Sequence, residues 1–157
     1  MKVSDAANSR ISCRAFTDQP VSLNQIKQLL DVAKQAPSGG NLQPWEVFAF
    51  TGKKLEAIIQ DIDSQLGEKP MGEKAEYDVY PPSLWEPYRS RRFKNGEDLY
   101  ACINVNREDK EGRRKQFIRN FKFFDAPVGL FLYLDKGMGP PQWSDVGMFI
   151  QTLMLYA

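Results

Sequence analysis

Residues 37–45 read Pro-Ser-Gly-Gly-Asn-Leu-Gln-Pro-Trp, a set suited to holding a flat ligand. Adjacent Gly39 and Gly40 let a backbone come close, because no Cβ stands in the way. Asn41 and Gln43 each carry donors and acceptors, which match a heterocycle edge that mixes N–H and C=O groups. Pro37 and Pro44 fix φ on either side and make a shaped loop. The plainer alternative is a helix-to-strand turn, for which Gly-Gly is a common signal. Upstream, residues 10–15 alternate polar and apolar side chains. If this piece is extended, Arg10, Ser12 and Arg14 share one side. Two guanidinium groups and a hydroxyl make an anion cradle, since arginine offers paired N–H donors to a phosphate. Here the plainer alternative is a solvated edge with two surface arginines.

What is missing narrows the chemistry further. The chain has no histidine. That removes the commonest metal ligand and the usual acid–base group near neutral pH. Zinc hydrolysis and Ser-His-Asp or Cys-His catalysis are therefore not expected, no metal site is expected, and a redox step would fall to a cofactor. Cys13 and Cys102 form no disulfide framework and fit a reducing cytoplasm; both are expected to be buried bystanders. Net charge is +1 over 157 residues, so no global field points to nucleic acid or a membrane. No apolar run approaches the ~20 residues needed to cross a bilayer.

These residues need elements to hold them. Ser22-Leu-Asn-Gln25 is a capping-box pattern. It opens a helix with Leu23, Ile26, Leu29, Leu30 and Ala33 on one face, closed by Pro37. Trp45–Phe50 is expected as a strand, with Trp45 in the core. A helix follows from Thr51, carrying Leu55, Ile58, Ile59, Ile62 and Leu66 at helical spacing and stopping at Gly67. Residues 67–83 read as a loop. Pro87 and Gly96 predict broken helix over 84–102, and a basic helix is expected over 107–124. Pro127–Leu134 is apolar on both faces, the pattern of a central, fully buried strand. Ser144 is expected to cap a last helix that is apolar almost all round. Such a helix must be covered by core or by another chain.

Three separated motifs, Arg10-Ile-Ser-Cys-Arg-Ala-Phe16, Asp18-Gln-Pro-Val21 and Ala36–Trp45, resemble in order and spacing the N-terminal signature of the FMN-dependent nitroreductase family. Glu86-Pro-Tyr-Arg-Ser-Arg-Arg92, Phe124-Asp-Ala-Pro-Val128 and Ser144-Asp-Val-Gly-Met-Phe-Ile-Gln151 resemble its nitrobenzoate-reductase branch. The resemblance covers nearly the whole chain. It implies an α+β fold, a mixed and mainly antiparallel sheet flanked by helices, and a homodimer with FMN at the interface. It also implies that Arg10, Ser12 and Arg14 hold the FMN phosphate and ribityl chain, while Pro37, Ser38, Gly39, Asn41 and Gln43 lie against the ring, often from the partner subunit. NAD(P)H would supply hydride and a nitroaromatic or quinone would accept it, with no side chain acting as acid or base. Residues 1–157 read as one nitroreductase-like domain whose C-terminal part is missing relative to the family pattern. The turn that meets the flavin ring nitrogen and a late basic residue for the phosphate have no counterpart here. A truncated, non-catalytic flavin-binding or interaction module is therefore the alternative.

One charge asymmetry stands out. Residues 86–122 hold eleven Lys and Arg against six Asp and Glu. The plain expectation is a solvated helix face. A sharper one is that Arg89, Arg91 or Arg92 steers an anionic substrate, beside Tyr77, Tyr80, Trp85, Tyr88, Phe93 and Tyr100, which read either as an aromatic pocket wall or as ordinary packing. Nucleic-acid binding through this stretch would need a motif that the chain lacks.

Overall fold

The computed structural model describes residues 2–69, 72, 73, 75 and 77–157. The chain divides into two compact units, residues 1–56 with 125–157, and residues 57–124. The first holds α1 (Val3–Ser9), α2 (Leu23–Ala33), β1 (Glu46–Thr51), the start of α3 (Gly52–Glu68), β2 (Val128–Tyr133) and α6 (Pro140–Tyr156). The second holds the rest of α3, α4 (Tyr88–Cys102) and α5 (Lys110–Ile118).

In the first unit α2 forms as its residues dictate. The Ser22 hydroxyl accepts from Gln25 N–H at 3.2 Å, and the Gln25 side-chain oxygen accepts from Ser22 N–H at 2.8 Å. Two backbone donors at the start of the helix are thereby satisfied. Ile26 and Ala33 are buried on the expected face, while Leu23 lies exposed in the first turn. Helix α1 has no apolar stripe to announce it. Asp5 supports it by accepting from Lys2 N–H at 3.0 Å.

Strands β1 and β2 pair antiparallel, with Glu46 opposite Tyr133 and Thr51 opposite Val128. The inner face presents Val47 and Leu132 to a core of Ala33, Ala36 and Phe149. The outer face is aromatic. Phe48 stacks on Tyr133 with ring centroids 5.5 Å apart, and Phe50 meets Phe131 edge-on at 5.5 Å. This corrects the expectation of a central, fully buried strand. Among the described residues β2 pairs with β1 alone, and Phe131 and Tyr133 are exposed. Both faces of β2 read as apolar because cross-strand aromatic pairs fill the outer one.

Helix α6 starts at Pro140, four residues before the expected cap at Ser144. Proline suits the first helical positions, where its missing N–H would have no partner. Gly139 N–H donates instead to the Gln142 side chain at 3.1 Å. The helix packs on α2 and also touches α1 and the short 3-10 turn Gly39–Asn41.

In the second unit α4 runs unbroken through Gly96, contrary to expectation. Pro87 sits just ahead of it, where no backbone donor is needed. Lys94 pairs with Asp98 at 2.6 Å across Gly96, and Arg113 of α5 reaches Glu97 at 3.2 Å. The expected basic helix over 107–124 shortens to α5, begun by Asp109, whose carboxylate accepts from Gly112 N–H at 2.8 Å. Helix α3 buries Leu55 and Leu66 as its spacing predicts and runs one residue past Gly67. The expected loop over 67–83 follows it in part, but residues 70, 71, 74 and 76 lie outside the described residues.

Candidate functional site

The 37–45 loop is held in an uncommon backbone shape. Gly40, Asn41 and Gln43 all have positive φ, at 58°, 54° and 48°. Glycine adopts this region freely, but two non-glycine residues there in one short loop mark a conformation that its surroundings must enforce. Part of the enforcement is local. The Ser38 hydroxyl accepts from Gln43 N–H at 2.9 Å, and the Ser38 carbonyl accepts from Asn41 N–H at 2.9 Å. Ser38 is thus the staple of the loop, and Gly40 has open space where a Cβ would stand.

The rest of the enforcement comes from α6, through a residue that the sequence reading passed over. Gly39 N–H donates to both carboxylate oxygens of Asp145, each at 3.3 Å. Asp145 is 5% exposed. One turn on, Phe149 is 2% exposed, and its ring lies 5.0 Å from that of Trp45. Asp145 and Phe149 are spaced i, i+4 and so share one helix face. That face grips the loop near both ends, at Gly39 by a hydrogen bond and at Trp45 by ring packing. Trp45 is half-buried against the core, as expected, though it stands one residue ahead of β1 and does not open the strand. The available signal for Asp145 was the one charged side chain of a largely apolar helix, four residues before a phenylalanine.

Side chains of Asn41 and Gln43 are exposed and have no hydrogen-bond partner among the described residues. Their donors and acceptors remain open to a ligand. Pro37 is also exposed, ahead of the half-buried Ser38.

Residues 10–15 form no helix or strand, and the segment leaves α1 with Arg10 in extended conformation. Arg14 donates from its guanidinium to the Ser12 carbonyl at 3.2 Å, which folds the arginine back along the segment. Arg10 is half-buried and Ser12 exposed. Neither side chain has a polar partner among the described residues. Cys13 and Cys102 are both exposed and free, which corrects the expectation that they are buried. Cys13 lies on a segment that pairs with no strand among the described residues, and its thiol bonds locally to the Ala15 carbonyl at 3.1 Å.

Within the second unit the basic surface is largely internally matched. Arg89 pairs with Glu86 at 2.9 Å, and Lys115 with Glu111 at 3.7 Å. The Arg92 guanidinium lies 4.3 Å from the centre of the Tyr80 ring, and that of Arg113 lies 4.0 Å from Tyr100. Arg91 has neither kind of partner among the described residues. It lines a pocket with Tyr80, Trp85, Tyr88 and Arg92. Glu86 is held below the usual 4.5 by the Ser90 hydroxyl and then by Arg89. No group of three His, Cys, Asp or Glu that could hold a metal lies among the described residues, and no helix there is long and apolar enough to cross a membrane.

A family model described as the nitroreductase family matches residues 7–157. The chain belongs to the nitroreductase family. Its relatives include the nitrobenzene nitroreductase of Ectopseudomonas oleovorans, 36% identical over 155 residues that cover 99% of this chain and 68% of that protein. The 4-nitrobenzoate reductase of Pseudomonas putida is 37% identical over 152 residues, covering 95% of this chain and 64% of the relative. A crystal structure of the FMN and NADPH-dependent nitroreductase NfnB from Sphigopyxis sp. strain HMH superposes with a TM-score of 0.94 at 44% identity, over 99% of this chain and 70% of that one. The α+β nitroreductase fold is therefore that of this chain.

Proposed function

We propose that the chain works as an FMN-dependent oxidoreductase, taking reducing equivalents from NAD(P)H and passing them to nitroaromatic or quinone-like acceptors. The observation that carries this reading is the 37–43 loop: left-handed, stapled by Ser38, fastened to α6, and presenting the unused amides of Asn41 and Gln43. A flat, polar-edged ring fits such a surface, and the Arg10–Ser12–Arg14 segment fits the phosphate at its far end. When bound, FMN supplies the two-electron redox chemistry.

The residues of the chain then bind and orient. Arg10 and Arg14 neutralise a phosphate, with Ser12 as a further hydrogen-bond group. Pro37, Ser38 and Gly39 shape the surface on which the ring rests. Asn41 and Gln43 donate toward the ring edge where charge develops on reduction, and amide donors held in place there favour that charge. Water can serve as the proton source, in keeping with a site that lacks histidine.

We place the working form as a homodimer in a reducing cytoplasm, with part of each flavin site lent by the other copy. The exposed apolar side of α6 and the free state of both cysteines favour this. Relatives named for nitrobenzene and 4-nitrobenzoate support a small aromatic acceptor. The test is a spectrum of the purified chain. A yellow preparation whose flavin absorbance bleaches on NADPH addition is expected. A colourless preparation that gains no thermal stability from FMN would instead leave a non-catalytic interaction module.

A further inference from the structure

We propose that Asp145 is a positioning residue for the flavin loop: its buried carboxylate fixes Gly39 N–H and so holds residues 37–43 in the shape that receives the ring. The role rests on the functional reading above. A carboxylate that is 5% exposed normally has a cation or several donors around it, because a bare buried charge is costly. Here the hydrogen bond described for Asp145 comes from a single backbone amide shared between both oxygens, 106 residues away in sequence. The α6 turn that carries Asp145 is therefore committed to one point of the loop. That point directly precedes Gly40 and Asn41, the first left-handed residues.

A left-handed asparagine and glutamine relax toward commoner backbone regions unless both ends of the loop are fixed. Phe149 fixes the Trp45 end by packing, and Asp145 fixes the Gly39 end by hydrogen bonding. Without Asp145 the Ser38 staple would remain, but the loop could swing about Trp45 as a unit. The amides of Asn41 and Gln43 would then lose their aim while keeping their chemistry.

The experiment titrates the 157-residue chain with FMN by fluorescence quenching, for wild type, Asp145→Asn and Asp145→Ala. It also follows backbone hydrogen exchange over Gly39–Gln43. Asparagine keeps an acceptor of the same shape without the charge, so D145N should bind FMN within about 3-fold of wild type. D145A should bind about 10-fold or more weakly, the scale of one hydrogen bond to a charged group. Its Gly39–Gln43 amides should exchange faster, while exchange in α2 stays unchanged. Equal FMN affinity of D145A and wild type overturns the role of Asp145 alone. So does a D145N variant as weak as D145A, because the charge rather than the acceptor would then matter. Failure of the wild type to bind FMN overturns the functional reading, and with it this role. Should D145A fail to fold, the wild-type Gly39 amide decides: protection in wild type and D145N supports the role, and exchange at the free-chain rate removes it.

Discussion

Arg10 and Arg14 differ in how ready they are to meet an anion. Arg14 already spends one N–H on the Ser12 carbonyl, whereas Arg10 has no described partner and is half-buried at the end of α1. If both reach a flavin phosphate, the Arg10→Ala, Arg14→Ala double variant loses two charge-assisted contacts. Such contacts are each worth about 1.5–3 kcal/mol, so FMN affinity should fall by roughly 100-fold or more. The fall should shrink for riboflavin, which has no phosphate, and paired titrations with the two ligands check this. An equal loss for both would show that the arginines act on the fold. A second prediction concerns Glu86, whose carboxyl is held below 4.5 first by the Ser90 hydroxyl and then by Arg89. A depressed native value means that the charged form is stabilised by folding. That contribution is present above the ordinary pKa of 4.5 and fades as pH falls through the lower native value. Ser90→Ala should therefore move the Glu86 titration up toward 4.5, as followed by carboxyl NMR, leaving the contributions of Arg89 and of the residue 90 backbone N–H. Glu86 is fully exposed, so global stability should change little.

At the scale of elements, α6 does two jobs on one face. It carries Phe149, the most buried large side chain, and Asp145, the anchor of the loop. Phe149→Ala removes a ring that packs with Trp45, with Ala33 at the end of α2 and with Ala36 just beyond it. Core phenylalanine-to-alanine changes cost about 3–5 kcal/mol, and this one should also loosen the loop through Trp45. Urea unfolding and exchange at residues 37–45 measure the two effects separately. The positions of such elements were legible where local chemistry is decisive. Ser22 and Gln25 announce α2, and the spacing from Leu55 to Leu66 announces α3, because caps and periodicity act within a few residues. Gly96 and Ser144 misled for the complementary reason. A glycine costs only about 1 kcal/mol in a helix, which ion pairs around α4 and α5 can offset, and a serine is a cap only when no earlier start exists. Pro140 offered one. The role of Asp145 was not legible, since it depends on Gly39, 106 residues away, and the left-handed angles of Asn41 and Gln43 rest in part on that same distant contact.

At the scale of the whole molecule, the question is what covers α6 on its other side. Trp143, Gly147, Ile150 and Met154 fall at i, i+4, i+7 and i+11, a single stripe on the side of α6 away from Asp145 and Phe149. Trp143 is 54% exposed and Met154 is 41% exposed. Gly147 has open space around it and would let a second helix approach closely. A stripe of this kind is costly to leave in water and suits a two-fold contact in which each helix meets its own copy. A stable contact needs about 800 Å² from each partner, more than one stripe provides, so neighbouring surface must join it. Met154→Glu places a charge on the exposed stripe without touching Phe149 or Asp145. Sedimentation equilibrium should find wild type dimeric and M154E shifted toward monomer. If each flavin is held by both copies, FMN affinity should become dependent on protein concentration in M154E but not in wild type. A monomeric wild type that binds FMN at one per chain would refute the shared site, while leaving the loop and its anchor on α6 intact.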